Sequence, residues 1–202
     1  MNQTEELIAK KLLLNSLHPS RYINWSMDML VKNISTESIQ ILAGLGENEE
    51  MKVIEKYFEK SLSEINFLVD EKDILEKYSF KIACEVISNK ISPRNGLKKV
   101  VDIYFTNEDE NLYPFLNVYD FYDNQNSIII EEFKIFLKYR ELNITVDLWN
   151  LCYCKICEKL TQFNQFLNNC YECNSTEVYP YQNQDGRKII LKYIENHQPF
   201  EK

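Results

Sequence analysis

The chain has 202 residues, 45% of them apolar and 13% aromatic, which is enough for a sizeable core and excludes a disordered chain. Only 4 Gly and 5 Pro interrupt it, favouring long helices over a many-turned all-β fold. The net charge of -8 is unevenly placed: residues 1–150 carry 17 Lys+Arg against 25 Asp+Glu, and residues 151–202 carry 6 of each.

An acidic surface of this kind repels phosphate backbones and suits a basic protein partner, although solubility alone also accounts for it. The opening Met-Asn-Gln-Thr-Glu-Glu lacks the basic and apolar regions of a secretion signal. No apolar run approaches the roughly eighteen residues of a membrane span. A cytoplasmic protein with reduced thiols and no membrane contact is expected.

Residues 4–17 predict a first helix, with Thr4 as candidate N-cap, acids in the first turn and His18-Pro19 as its end. A second helix is expected from about Ser20 to Lys32. Ile23, Met27, Leu30 and Val31 would share its buried face, widened by Tyr22 and Trp25. Residues 35–45 predict a short helix capped by Ser35 or Thr36, with Gly44 and Gly46 at its exit. No strand precedes these glycines and no Lys-Ser/Thr follows, so they do not form a phosphate cradle.

Met51, Ile54, Phe58, Leu62 and Ile65 form the stripe of a helix over 48–66, whose opposite face mixes charges of both signs. Residues 73–90 predict another helix of the same kind, with Asp73 as cap, Leu75, Tyr78, Ile82 and Val86 as stripe, and Cys84 as a small buried hydrophobe. Ser92-Pro93 then opens a helix buried through Leu97, Val100, Val101 and Tyr104.

Residues 106–126 alternate polar and aromatic side chains and predict a loop with one short helix. Glu108, Asp109 and Glu110, and further on Tyr119, Asp120, Phe121, Tyr122 and Asp123, are candidate contacts for a cationic partner; a capped loop would use the same residue types. Ile129, Phe133, Phe136 and Leu137 predict one more helix. β-Branched content rises after it, which places a boundary between a helical bundle, 1–141, and a C-terminal module, 142–202.

That module holds the strongest chemical signal. Cys154 and Cys157 form a Cys-x2-Cys pair, twelve residues follow, and Cys170 and Cys173 form a second pair. A two-residue gap lets both sulfurs of a pair reach one metal from one tight turn. Four thiolates then fill a tetrahedral zinc shell and leave no open position for catalysis. One structural zinc ion is expected. Cys152 would make a poorer chelating turn with Cys154 and is expected to be a packing residue. Residues 176–182 and 187–194 have strand composition, and Asp185-Gly186 between them is a hairpin signal.

Two such cysteine turns followed by a strand pair resemble a zinc ribbon, over roughly residues 150–195. In that family Gly often follows the second Cys of each pair, where the turn takes φ > 0; here Glu158 and Asn174 stand there. Asn tolerates that conformation and Glu does so poorly. The resemblance implies fold and metal, not activity.

The helical part resembles small bacterial proteins through Trp25 with Met29 and Leu30, through Leu42-Ala43-Gly44-Leu45, and through Ile91-Ser92-Pro93-Arg94-Asn95-Gly96-Leu97. Some of those lie near toxin loci, where acidic partners neutralise basic toxins, so the resemblance implies an immunity protein.

The fold expected is therefore α+β, a helical bundle followed by a zinc-ribbon-like module. His18 and His197 lie outside the cysteine motif and form no dyad, and Glu131 and Glu132 are adjacent and point to different sides of a helix. The function expected is non-enzymatic protein binding. The alternative is a zinc-ribbon nucleic-acid binder using Lys155, Lys159, Arg187, Lys188 and Lys192 near aromatic side chains.

Overall fold

The computed structural model describes residues 1–14, 16–142 and 146–196. Among them the fold is α+β: eight α-helices, a four-stranded antiparallel sheet, then a ninth helix. The helices are α1 Gln3–Leu14, α2 Pro19–Val31, α3 Glu37–Gly44, α4 Met51–Glu64, α5 Glu71–Ile87, α6 Pro93–Asn107, α7 Tyr113–Tyr122, α8 Asn126–Glu141 and α9 Gln184–Asn196. The strands are β1 Leu151–Cys154, β2 Lys159–Asn164, β3 Asn169–Cys170 and β4 Val178–Pro180, in the order β3-β2-β1-β4. No helix among the described residues is long and apolar enough to cross a membrane.

Contacts divide the chain into a first unit, Met1–Tyr78, and a second beginning at Ser79, so α5 contributes to both. The boundary expected near 142 falls inside the second unit.

In the first unit, α1 is capped by Asn2 and not Thr4. The Asn2 Oδ1 accepts from the Glu5 N–H at 2.9 Å, and the Asn2 N–H donates back to Glu5 at 2.7 Å. Thr4 is freed to accept from the Trp25 indole at 3.0 Å inside the core. The buried face of α2 is Tyr22, Trp25, Ser26 and Met29 together with Ile23; Met27 and Val31 are exposed. The two aromatics meet Phe58 of α4 edge-to-face, at 5.1 Å from Tyr22 and 4.9 Å from Trp25. Trp25 is thus a core residue.

The start of α3 is held from another helix. Thr36 caps it, accepting from the Ile39 N–H at 3.4 Å, and the Glu64 carboxylate of α4 accepts from the Ser38 hydroxyl at 2.7 Å and N–H at 3.1 Å. The Thr36 hydroxyl first, then Ser38, hold the Glu64 carboxyl down to about 2. A lowered carboxylate stabilises the fold above its ordinary value and loses that contribution as pH falls toward the folded value. Glu64→Gln is expected to flatten the dependence of stability on pH between 4.5 and about 2, measured by urea melts across that window. An unchanged slope would remove Glu64 as its source.

Helix ends show how a chain poor in glycine stops its helices. Asn33, Asn66 and Asn89 take φ of 59°, 54° and 58° after α2, α4 and α5. The next N–H reaches back five residues in each case, Ile34 to Met29, Phe67 to Leu62 and Lys90 to Glu85, as in a Schellman motif. Gly44 and Gly46 do not take positive φ. α5 is capped by Asp70, whose side chain accepts from the Asp73 N–H at 3.0 Å, so Asp73 is not the cap. Its stripe of Leu75, Tyr78, Ile82 and Val86 is buried as expected. Cys84 is exposed, because it stands about 200° around the helix from Ile82.

In the second unit, Ser92 caps α6 and accepts from the Asn95 N–H at 3.4 Å. Gly96 sits where a Cβ would lie 2.2 Å from Val86, so this glycine permits the close approach of α6 and α5. The expected loop 106–126 is mostly helical: a 3-10 turn at Glu110–Leu112, then α7, which buries Phe115 against Phe133 and Phe136 of α8. The sheet does not stand apart from these helices. Ile135 and Tyr139 of α8, Leu148 and Leu151, Tyr181, and Ile190 and Ile194 of α9 form one buried cluster.

The expected strand at 187–194 is instead the helix α9. Its buried residues Gly186, Arg187, Ile190 and Ile194 follow a three-to-four-residue spacing, not an alternation. Asp185-Gly186 is no hairpin: a Cβ on Gly186 would lie 1.9 Å from the Pro180 carbonyl oxygen, so the glycine lets the first turn of α9 pass directly over β4.

Candidate metal centre

Each cysteine pair sits on a turn that the sheet presents. β1 ends at Cys154, which pairs with Lys159 of β2 and with Val178 of β4, so the turn 155–158 projects from the middle of the sheet. β3 ends at Cys170, opposite Phe163 of β2, and the second turn follows it. The residues after each pair, Glu158 and Asn174, take φ of 51° and 57°, so both turns adopt the left-handed step of the cysteine-knuckle pattern without glycine.

These turns bring the four sulfurs of Cys154, Cys157, Cys170 and Cys173 within 4.8 Å of one another. The Cys154 and Cys173 sulfurs are 3.6 Å apart, and those of Cys157 and Cys170 are 3.9 Å apart. A tetrahedral ion with metal–sulfur bonds of about 2.3 Å sets sulfur–sulfur edges of about 3.8 Å, so the donor set fits one such ion. All six cysteines are free thiols.

The surroundings act on the thiols in both directions: hydrogen bonding with Cys173 first, then burial, raises Cys157, and Cys173, against hydrogen bonds that lower it, is itself raised by Cys154 and Cys170. The Cys157 N–H donates to the Cys154 sulfur at 3.4 Å. Burial works against the Cys170 thiolate, but the N–H groups of Cys173 and Glu172 outweigh it and hold the thiol at about 7. Lys155 pairs with Glu177 at 2.9 Å, and Lys159 pairs with Glu172 at 2.7 Å. Glu172 also accepts from the Thr161 hydroxyl at 3.0 Å, tying the second turn to β2. Cys154 and Cys170 are buried, whereas Cys157 is half-buried and Cys173 exposed. Cys152 is buried on β1 outside the four-sulfur group; burial first, then the neighbouring thiols, push its own thiol up to about 12.

The residues expected at a partner surface differ in their surroundings. Asp109 caps the 3-10 turn, accepting from the Asn111 N–H at 3.0 Å, and Asp123 pairs with Arg94 at 2.9 Å. Glu108, Glu110 and Asp120 are exposed, as are Tyr119 and Phe121, while Tyr122 is half-buried. Glu108, Asp109 and Glu110 precede α7, whereas Asp120 and Asp123 lie at its end.

One polar cluster has no counterpart in the expectations. Glu132 of α8 is 1% exposed and takes a hydrogen bond from the Tyr181 hydroxyl. Arg187 of α9 lies 3.9 Å from the same carboxylate and donates to the Tyr181 carbonyl at 3.1 Å and to Asn117 at 3.0 Å. The sequence does hold a signal for it: Glu132 stands three residues after Ile129 and four before Phe136, inside the apolar stripe. His18, by contrast, has a local role, accepting from the Ser20 N–H at the start of α2; His197 lies outside the described residues.

No protein-family profile matches the chain, and no curated protein or solved structure matches it significantly.

Proposed function

We propose that this is a non-enzymatic protein-binding protein whose C-terminal sheet is held by one structural zinc ion, and that its partner is basic. The observation that carries this reading is the closed set of four sulfurs. Four thiolates complete the shell of a zinc ion and leave no position for water or substrate, so the metal shapes the fold and does no chemistry. Free thiols throughout the chain fit a reducing compartment such as the cytoplasm. Neutralisation of a basic toxin, the role implied by the helical motifs, is one such partnership.

Nucleic-acid binding is the weaker reading, because three of its five basic residues are already engaged. Lys155 and Lys159 pair with acids and Arg187 is buried against Glu132. Lys188 and Lys192 remain exposed, one turn apart on α9.

Elemental analysis of protein expressed with zinc should find about one zinc per chain; less than roughly a third of an equivalent, with reactive thiols, ends the metal reading. A partner captured from the source cell should associate more slowly as salt rises from roughly 0.05 to 0.5 M, with dissociation changing less. Charge reversal at Glu108, Glu110 and Asp120 should remove that salt dependence. Unchanged affinity and salt dependence would overturn the acidic-surface reading, and a captured RNA or DNA lost on mutating Lys188 and Lys192 would put the alternative in its place.

A further inference from the structure

The net charge has a sharper address than the first 150 residues. From Val100 to Phe133 there is no Lys, Arg or His, and eight acids stand there: Asp102, Glu108, Asp109, Glu110, Asp120, Asp123, Glu131 and Glu132. The remainder of the chain holds 23 acidic and 23 basic side chains, so this one segment accounts for the whole -8.

Where α6 ends, the segment also exposes aromatic surface. Phe105 is 66% exposed. Its ring meets Tyr104 at 5.6 Å, Tyr104 meets Tyr113 at 5.9 Å, and Tyr113 meets Trp149 at 4.9 Å, all edge-to-face. Tyr104, Tyr113 and Trp149 are each half-buried, so the four rings form a continuous, partly exposed aromatic row. Glu108 caps α6 in the left-handed conformation, and both Glu108 and Glu110 are exposed beside the row. Burial first, then the charge of Glu110, Tyr113 and Glu108, raise the Tyr104 hydroxyl, which places those carboxylates within electrostatic reach of its ring.

We infer that the row Phe105, Tyr104, Tyr113 and Trp149, rimmed by Glu108 and Glu110, is the docking face for arginine side chains of a basic protein segment. This rests on the basic-partner reading and names the chemistry of the contact. A guanidinium stacks flat on an aromatic ring, gains from the ring's negative face, and keeps donors free for a carboxylate at the rim. Aromatic rings beside charges also supply the few contacts that carry most of an interface's energy. A lysine satisfies the carboxylates equally well but stacks less well. A nucleic acid could stack on the same rings, yet its phosphates would face a segment with no positive charge to meet them.

The test uses the full chain with its metal and two short synthetic peptides of equal charge, one of arginine and glycine, the other of lysine and glycine. Binding is read by titration and by the ring resonances of Tyr104, Phe105, Tyr113 and Trp149. The arginine peptide is expected to bind about fivefold tighter than the lysine peptide, and Phe105→Ala, at an exposed site that leaves the fold intact, to remove most of that preference. Glu108→Gln with Glu110→Gln should weaken both peptides alike. Equal binding of the two peptides, insensitive to Phe105→Ala but sensitive to the glutamine changes, would overturn the aromatic row and leave the basic-partner reading standing. Binding of neither peptide at low salt would overturn both.

Discussion

A Cys170→Ser, Cys173→Ser variant is expected to lose the order of the sheet and α9 while the helices of residues 1–78 stay folded. Structural zinc contributes on the order of 10–16 kcal/mol of apparent binding energy in small modules, and there that energy is folding energy. The sheet has little else to stand on: β3 has two residues and β4 three. The consequence extends beyond the sheet, because Leu151 at the start of β1 shares one buried cluster with Ile190 and Ile194 of α9 and with Ile135 and Tyr139 of α8. Hydrogen exchange should therefore rise in the cysteine turns, in α9 and in the last turns of α8, with α1–α4 unaffected. Chelation of the native protein should reproduce the pattern, and restored zinc should reverse it. If amides of 151–170 and α9 keep their protection in the variant, the four cysteines hold no metal that matters to folding.

How much of this was legible in the sequence depends on which residues carry their meaning locally. The four-sulfur cluster was legible because chelation fixes spacing: two thiols two residues apart can reach one ion whatever surrounds them. The starts at Thr36 and Ser92 were legible for the same reason, a side chain meeting an N–H three residues on. The helix ends were less so, because Asn33, Asn66 and Asn89 take the place usually given to glycine, and asparagine is common in loops too. On α2 the aliphatic spacing is one step out of phase with the buried side: it points to Met27 and Val31, but the aromatic volumes of Tyr22 and Trp25 decide which face is covered. α9 has the pattern of a strand because Lys188-Ile-Ile-Leu-Lys-Tyr alternates well enough in isolation. What selects the helix is tertiary: the contact of Gly186 with Pro180, and a core waiting for Ile190 and Ile194 four residues apart. Nothing in the local sequence around Glu132 announces Arg187, fifty-five residues away.

That distant pair yields the second large effect. Arg187→Ala is expected to destabilise the second unit by about 3–5 kcal/mol, because it leaves the Glu132 carboxylate buried without its cation. Arg187 also covers the Tyr181 ring at 5.4 Å and holds Asn117, so some of the loss is packing and hydrogen bonding. A Glu132→Gln, Arg187→Met double variant separates the terms: with both charges gone and volume nearly kept, most of the electrostatic loss should return. The sign with pH follows from the carboxyl itself. Burial raises it above its ordinary 4.5, while Arg187 and the Tyr181 hydroxyl work in the opposite direction. A raised carboxyl binds its proton more tightly in the folded state, so its contribution is most favourable below the ordinary value and is lost as pH rises. Removing Arg187 removes a lowering influence and enlarges that loss. The Arg187→Ala destabilisation should therefore be smaller near pH 4.5 than near neutrality, measured by urea melts of the second unit's signal, and the double variant should not show this trend. A single and a double variant equally unstable at every pH would mean that Arg187 acts through shape alone and that the buried carboxylate carries no charge for it to meet.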